Sequence, residues 1–148
     1  MVDRFERFSF SVFEVSRCWH KLAAEEMAKY DLKGPHAIYL TVLQHNPEGL
    51  TAARICELCG RDKADVSRAL AVLDEKGMVK REGGSGYRAR ISLTEAGCKA
   101  AEHVTRRASV AVELAGKGIT DEDREIFYNA LSSITESLNK LCRDGLPE

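Results

Sequence analysis

Among the 148 residues of this chain, the side chains best suited to chemistry cluster between Leu50 and Thr94. Lys63, Ser67 and Arg68 fall in one run, and Lys80, Arg81, Arg88 and Arg90 flank the glycine-rich stretch Gly83-Gly84-Ser85-Gly86. These groups donate hydrogen bonds, and the cations carry full charge, so phosphates and the edges of nucleic-acid bases are natural acceptors. The charge is distributed to match. The whole chain has a formal net charge of -1, yet residues 50–93 hold nine Lys+Arg against six acids, and the remainder holds 13 against 17. Local sign governs contact with a polyanion, because one face makes the contacts.

These side chains must be positioned by short elements. Thr51 can cap a helix over the following residues, and Gly60 stops it where a left-handed residue is needed. Asp62 then caps a second helix, with Asp65 three residues on, and Gly77 ends it. Only Arg61 separates the two caps, so the helices must cross sharply. Met78 to Glu82 and Tyr87 to Thr94 read as the two arms of a hairpin with a glycine tip. The order helix, turn, helix, hairpin is a winged helix-turn-helix.

On the second helix Val66, Ala69, Leu70 and Leu73 form the apolar stripe. The opposite face carries Ala64, Arg68 and Ala71, with Ser67 on its flank and Lys63 at the N-terminal end. Small residues beside a cation and a hydroxyl allow close approach to base edges. An ordinary amphipathic helix would read the same way in isolation. The basic hairpin directly after it favours nucleic acid, although an edge hairpin can also carry charge merely to block aggregation.

On these residues the chain resembles the MarR (multiple-antibiotic-resistance-regulator) family. The matching pieces are Leu50-Thr51, Ile55-Cys56-Glu57-Leu58-Cys59-Gly60, Asp62-Lys63, Val66-Ser67-Arg68, Leu70, Leu73, Lys76-Gly77-Met78-Val79 and Leu93-Thr94-Glu95-Ala96-Gly97. The wing departs from the family pattern. In place of the usual Asp-x-Arg tip stands Gly83-Gly84-Ser85-Gly86-Tyr87, and Arg88 falls about one residue late. The residues expected to touch double-stranded DNA are Thr51, Lys63, Ala64, Ser67, Arg68, Ala71, Lys80, Arg81, Arg88 and Arg90.

Outside this region the chain is patterned as long helices. Phe5, Phe8, Val12, Val15, Trp19 and Leu22 alternate three and four residues apart in a helix running to about Tyr30. Asp31 to Gly34 is a break, and Pro35 suits the first position of a helix that ends at Asn46-Pro47. Thr94 can cap a helix from Glu95 to about Lys117. After Gly116-Lys117-Gly118, Thr120 and Asp123 have capping-box spacing. Phe127, Leu131, Ile134, Leu138 and Leu141 then follow at intervals of four, three, four and three. Such seams can pack within one subunit, but the winged region already has its own core.

The fold expected is therefore mainly α with a small β-hairpin wing. A winged helix-turn-helix region spans 34–98, a connecting helix 95–117, and helices at 1–33 and 116–148 form a dimerisation region built from both termini. The dimer contacts are assigned to Phe5, Phe8, Val12, Val15, Phe127, Leu131, Ile134, Leu138 and Leu141.

Other classes find little support. The histidines His20, His36, His45 and His103 are scattered, with no metal-binding or triad spacing, and no lysine-Ser/Thr pair follows the glycines as a phosphate loop requires. No enzyme activity, cofactor or metal is expected. Cys18, Cys56, Cys59, Cys98 and Cys142 make an odd number of thiols without a secretion signal. Cys56 and Cys59 have metal-ligand spacing but lack a second pair, and read as small buried hydrophobes. No apolar run reaches the ~20 residues of a membrane helix, so a cytoplasmic location without a membrane partner is expected.

The resemblance implies a homodimeric repressor of a pseudo-palindromic operator, relieved by a small aromatic or anionic ligand. Arg17, Trp19, His20 and Tyr39 lie on segments able to line the ligand crevice, and are equally compatible with core or surface roles. Two alternatives remain open. One is a redox-sensing regulator using a cysteine thiol, although the family's peroxide-sensing position near the start of the first helix falls by Ser9, two turns before Cys18. The other is a winged helix that binds only protein.

Overall fold

The computed structural model describes residues 3–84 and 88–148. Ser85, Gly86 and Tyr87, to which part of the glycine-rich tip was assigned, lie outside the described residues. Six helices and one hairpin follow in order: α1 (Arg4–Ala28), α2 (His36–Gln44), α3 (Ala52–Cys59), α4 (Lys63–Glu75), β1 (Val79–Glu82), β2 (Arg90–Leu93), α5 (Glu95–Ala115) and α6 (Asp121–Asp144). The expected mainly helical, winged class is observed. The chain divides into two compact units, one ending at Ala108 and one over Ser109–Glu148, the division falling within α5.

The helix boundaries follow from local chemistry. Thr51 accepts from the Arg54 N–H (3.3 Å), and Asp62 accepts from the Asp65 N–H (2.8 Å), so each cap satisfies one orphan donor. Gly60 closes α3 at φ 61, where a Cβ would be strained. Pro35, expected as the first helical residue, takes helical angles one position ahead of α2. The break after α1 contains Asp31 at φ 56, a left-handed conformation rare outside glycine. Its carboxylate pairs with Lys76 at the C-terminal end of α4. That partner holds the Asp31 carboxyl below its ordinary pKa.

The core of the first unit gathers Met27 from α1, Leu40 and Leu43 from α2, and Ile55 from α3. Val66, Leu70 and Leu73 of α4 join them, with Ile91 of β2. Burying such side chains stabilises the fold by roughly 1.5–3 kcal/mol each. Cys59 belongs to this cluster and Cys56 packs against it, in the place read for them as small hydrophobes. Burial pushes the Cys59 thiol pKa up. His36 is also buried. Its Nδ1 accepts from the Lys33 N–H (3.0 Å), and desolvation lowers its pKa, which favours the neutral ring.

The wing is an antiparallel pair in which Val79 faces Leu93 and Glu82 faces Arg90. On the other edge of β2, Leu50 forms a bridge to Ile91. The chain then turns into α5 through Thr94, whose hydroxyl donates to Gly77 O (2.6 Å) and accepts from the Gly97 N–H (3.1 Å). Gly97 is required here. A Cβ at this position would lie 2.0 Å from Met78 O.

A polar node ties α1 to α5 within the first unit. Glu26 accepts from Lys29 Nζ (2.7 Å), His103 Nε2 (2.6 Å) and Arg107 Nε (3.0 Å). The Tyr30 ring meets His103 edge-on at 5.6 Å. In the second unit, Thr120 caps α6 by accepting from the Asp123 N–H (3.1 Å). Arg124 Nη2 donates to Gly116 O (3.2 Å), satisfying a carbonyl just past the end of α5. No residue of α6 is buried.

Two outcomes are expected. Gly97→Ala should destabilise the protein by about 1–3 kcal/mol, because the backbone around Met78 must move to admit the methyl group; a lower urea midpoint at unchanged m-value measures it. Glu26 is held at a pKa of about 2, against 4.5 ordinarily, by Lys29 first, then His103 and Arg107. A depressed carboxylate contributes stability that is present above its unfolded pKa and lost as pH falls towards the folded one. Melting temperatures of Glu26→Gln should therefore fall less steeply than wild type from pH 4.5 down to about 2.

Candidate nucleic-acid interface

Burial of Val66, Ala69, Leu70 and Leu73 sets the rotation of α4 about its axis. Lys63, Ala64, Ser67, Arg68 and Ala71 are consequently all exposed, as one surface with two small residues between donors. The helix N-terminus adds positive partial charge at the Lys63 end. Arg68 pairs with Asp65 one turn earlier, an acid whose role in orienting the guanidinium was not apparent from spacing alone. Thr51, by contrast, is half-buried and its hydroxyl is engaged in capping α3.

On the wing, Lys80, Arg81, Arg88 and Arg90 are exposed. Lys80 pairs with Glu82 at 3.3 Å. Arg90 Nη1 donates to Gly49 O at 3.1 Å, a long-range bond with no sequence signal. Two further cations, Arg54 on α3 and Arg61 in the turn between α3 and α4, are exposed in the same unit. Arg54 pairs with Glu57 (2.7 Å). Neither had been singled out, and their positions in the helix-turn-helix were the available signal.

The four residues assigned to a ligand crevice differ in their surroundings. Arg17 pairs with Glu14, His20 Nδ1 lies 3.2 Å from Ser16 Oγ, and Trp19 is 43% exposed, all on α1. Tyr39 lies in the core at 3% exposure, where burial raises its hydroxyl pKa. The apolar seam residues are open to solvent in the single chain. Phe5, Phe8, Val12 and Val15 on α1 are exposed, as are Phe127, Leu131, Ile134, Leu138 and Leu141 on α6. No group of three metal-ligating side chains occurs among the described residues. No helix among them is long and apolar enough to cross a membrane.

Comparison with known proteins agrees with this geometry. Residues 30–90 match the model of the MarR family. No curated protein matches the chain. Among solved structures, a MarR transcriptional regulator from Methanosarcina mazei Go1 is similar at a TM-score of 0.81 and 22% identity, covering 95% of this chain and 94% of that one. A putative MarR-family regulator from Listeria monocytogenes, solved with a 26mer DNA, has a TM-score of 0.81 at 18% identity over 100% and 99% of the two chains. A MarR-family regulator from Silicibacter pomeroyi gives 0.73 at 21% identity over 95% and 91%. The family model thus matches the region in which the resemblance was read as far as residue 90, and the chain shares the fold of solved MarR-family regulators.

Proposed function

We propose that the protein is a transcriptional regulator that binds double-stranded DNA through α4 and the wing. The observation that carries the reading is the exposed face of Lys63, Ala64, Ser67, Arg68 and Ala71, directly followed in the chain by a basic hairpin. A helix this narrow on one side can enter the major groove, where Arg68 and Ser67 reach base edges. Lys80, Arg81 and Arg88 are suited to phosphate or the minor groove beside it. The Listeria regulator of the same fold, solved with DNA, supports the same use of this one.

The functional unit in this reading is a homodimer, with the exposed seams of α1 and α6 as its contacts. Two-fold symmetry would present two copies of α4 about one DNA turn apart (~34 Å), so the operator would be a pseudo-palindrome. Binding there would repress transcription by occupying the operator. A small anionic or aromatic ligand would relieve it by binding one spacing of the two helices more tightly than the other. The protein acts without catalysis and without a cofactor in this account, in the cytoplasm.

Titrations on specific and scrambled duplexes at several salt concentrations separate the contacts. Arg68→Ala should cost ~1–3 kcal/mol on the specific site and relax preference at one position per half-site. Arg88→Ala should weaken binding to all sequences alike and flatten the salt dependence by about one unit of slope. Unchanged affinity in both variants would remove DNA from this surface. For the dimer, sedimentation of Leu131→Asp with Leu138→Asp should give monomer or unfolded chain. A wild-type monomer at micromolar concentration would contradict the assembly.

A further inference from the structure

The loop between α2 and α3 is wired to the base of the wing. Asn46 Nδ2 donates to Val42 O (2.8 Å), and Asn46 O accepts from the Gly49 N–H (2.9 Å). Gly49 O in turn accepts from Arg90 Nη1 (3.1 Å). One residue on, Leu50 and Ile91 exchange both backbone bonds, at 2.9 and 2.8 Å, and Thr51 then caps α3. Gly49 takes φ +90, and a Cβ there would come within 3.2 Å of both Arg90 Cβ and Ile91 O. The glycine allows the loop to lie against β2, and the Arg90 side chain closes over the contact.

A two-stranded hairpin is marginal by itself, so what grips its edge decides where it stands. β1 follows α4 directly through Gly77 and Met78, and among the described residues the outer edge of β2 carries one bridge, Leu50 to Ile91. The Arg90 bond to Gly49 adds a second point of attachment beside that bridge. A charged donor on a partly buried carbonyl is stronger than a neutral pair.

We propose that Arg90 is a positioning residue, clamping the base of the wing to the loop that enters α3 and so setting the wing's place relative to α4. Its consequence for binding rests on the DNA reading above, whereas the clamp itself does not. In this role Arg90 contributes the position from which the wing meets the duplex.

The full-length Arg90→Ala variant tests this in two ways. Amide hydrogen exchange at Leu50 and Ile91, followed by NMR, should accelerate about tenfold, the order expected for one lost hydrogen bond, while Leu70 in the core stays unchanged. Binding to a duplex recovered by the wild-type protein from a random-sequence library should weaken about tenfold, with the slope of affinity against salt retained because no phosphate contact is lost. Unchanged exchange at both amides, or loss of a full unit of salt slope, overturns the clamp. If the wild-type protein retains no duplex at all, the DNA reading fails, and the exchange measurement still decides the clamp.

Discussion

The rotation of α4 is the constraint on which the rest depends. Val66, Leu70 and Leu73 are at most 1% exposed, locked among side chains of α2, α3 and β2. Turning the helix by one residue, about 100°, would expose part of this stripe at a cost of several kcal/mol. The outward face is thereby fixed as Ala64, Ser67, Arg68 and Ala71, whose side chains have no role in the core. The caps at Thr51 and Asp62 and the left-handed Gly60 set the crossing of α3 and α4 that makes this packing available. The same burial carries β1 into place, since Met78 and Val79 complete the cluster immediately after α4.

The periphery is organised differently. Met27 is the one buried residue of α1, and α6 has none, so neither helix gains much stability from the single chain. Both nevertheless carry continuous apolar seams, which water would not favour leaving open. The polar ties that do reach α1 are specific. Glu26 collects Lys29, His103 and Arg107, joining the end of α1 to α5, and Asp31 meets Lys76 at the end of α4. The exposed seam of α1 precedes Met27, and the polar node holds the helix at its other end.

Much of this was legible in the sequence where the cause is local. Capping at Thr51, Asp62 and Thr120, the stop at Gly60 and the stripe of α4 all depend on residues within a turn or two, and each stands where spacing put it. Helix α5 ends at Ala115, slightly short of the expected Lys117, and the chain turns at Gly118, which takes φ 93. What spacing could not reveal depends on pairs distant in the chain. The Arg90 bond to Gly49 spans 41 residues, and Glu26 to Arg107 spans 81. Asp31 at positive φ and the pairing of Asp65 with Arg68 likewise depend on which of several neighbours a flexible side chain chooses. Tyr39 was open to either a core or a crevice role, and its ring is in the core.

The central question for this protein is whether the α4 face reads DNA sequence. Sequencing duplexes selected from a random library by the purified protein measures this directly. The account predicts an enriched inverted repeat whose half-site centres lie about one helical turn (~34 Å) apart. Retained duplexes with no enriched sequence, or none retained at low salt, would contradict it.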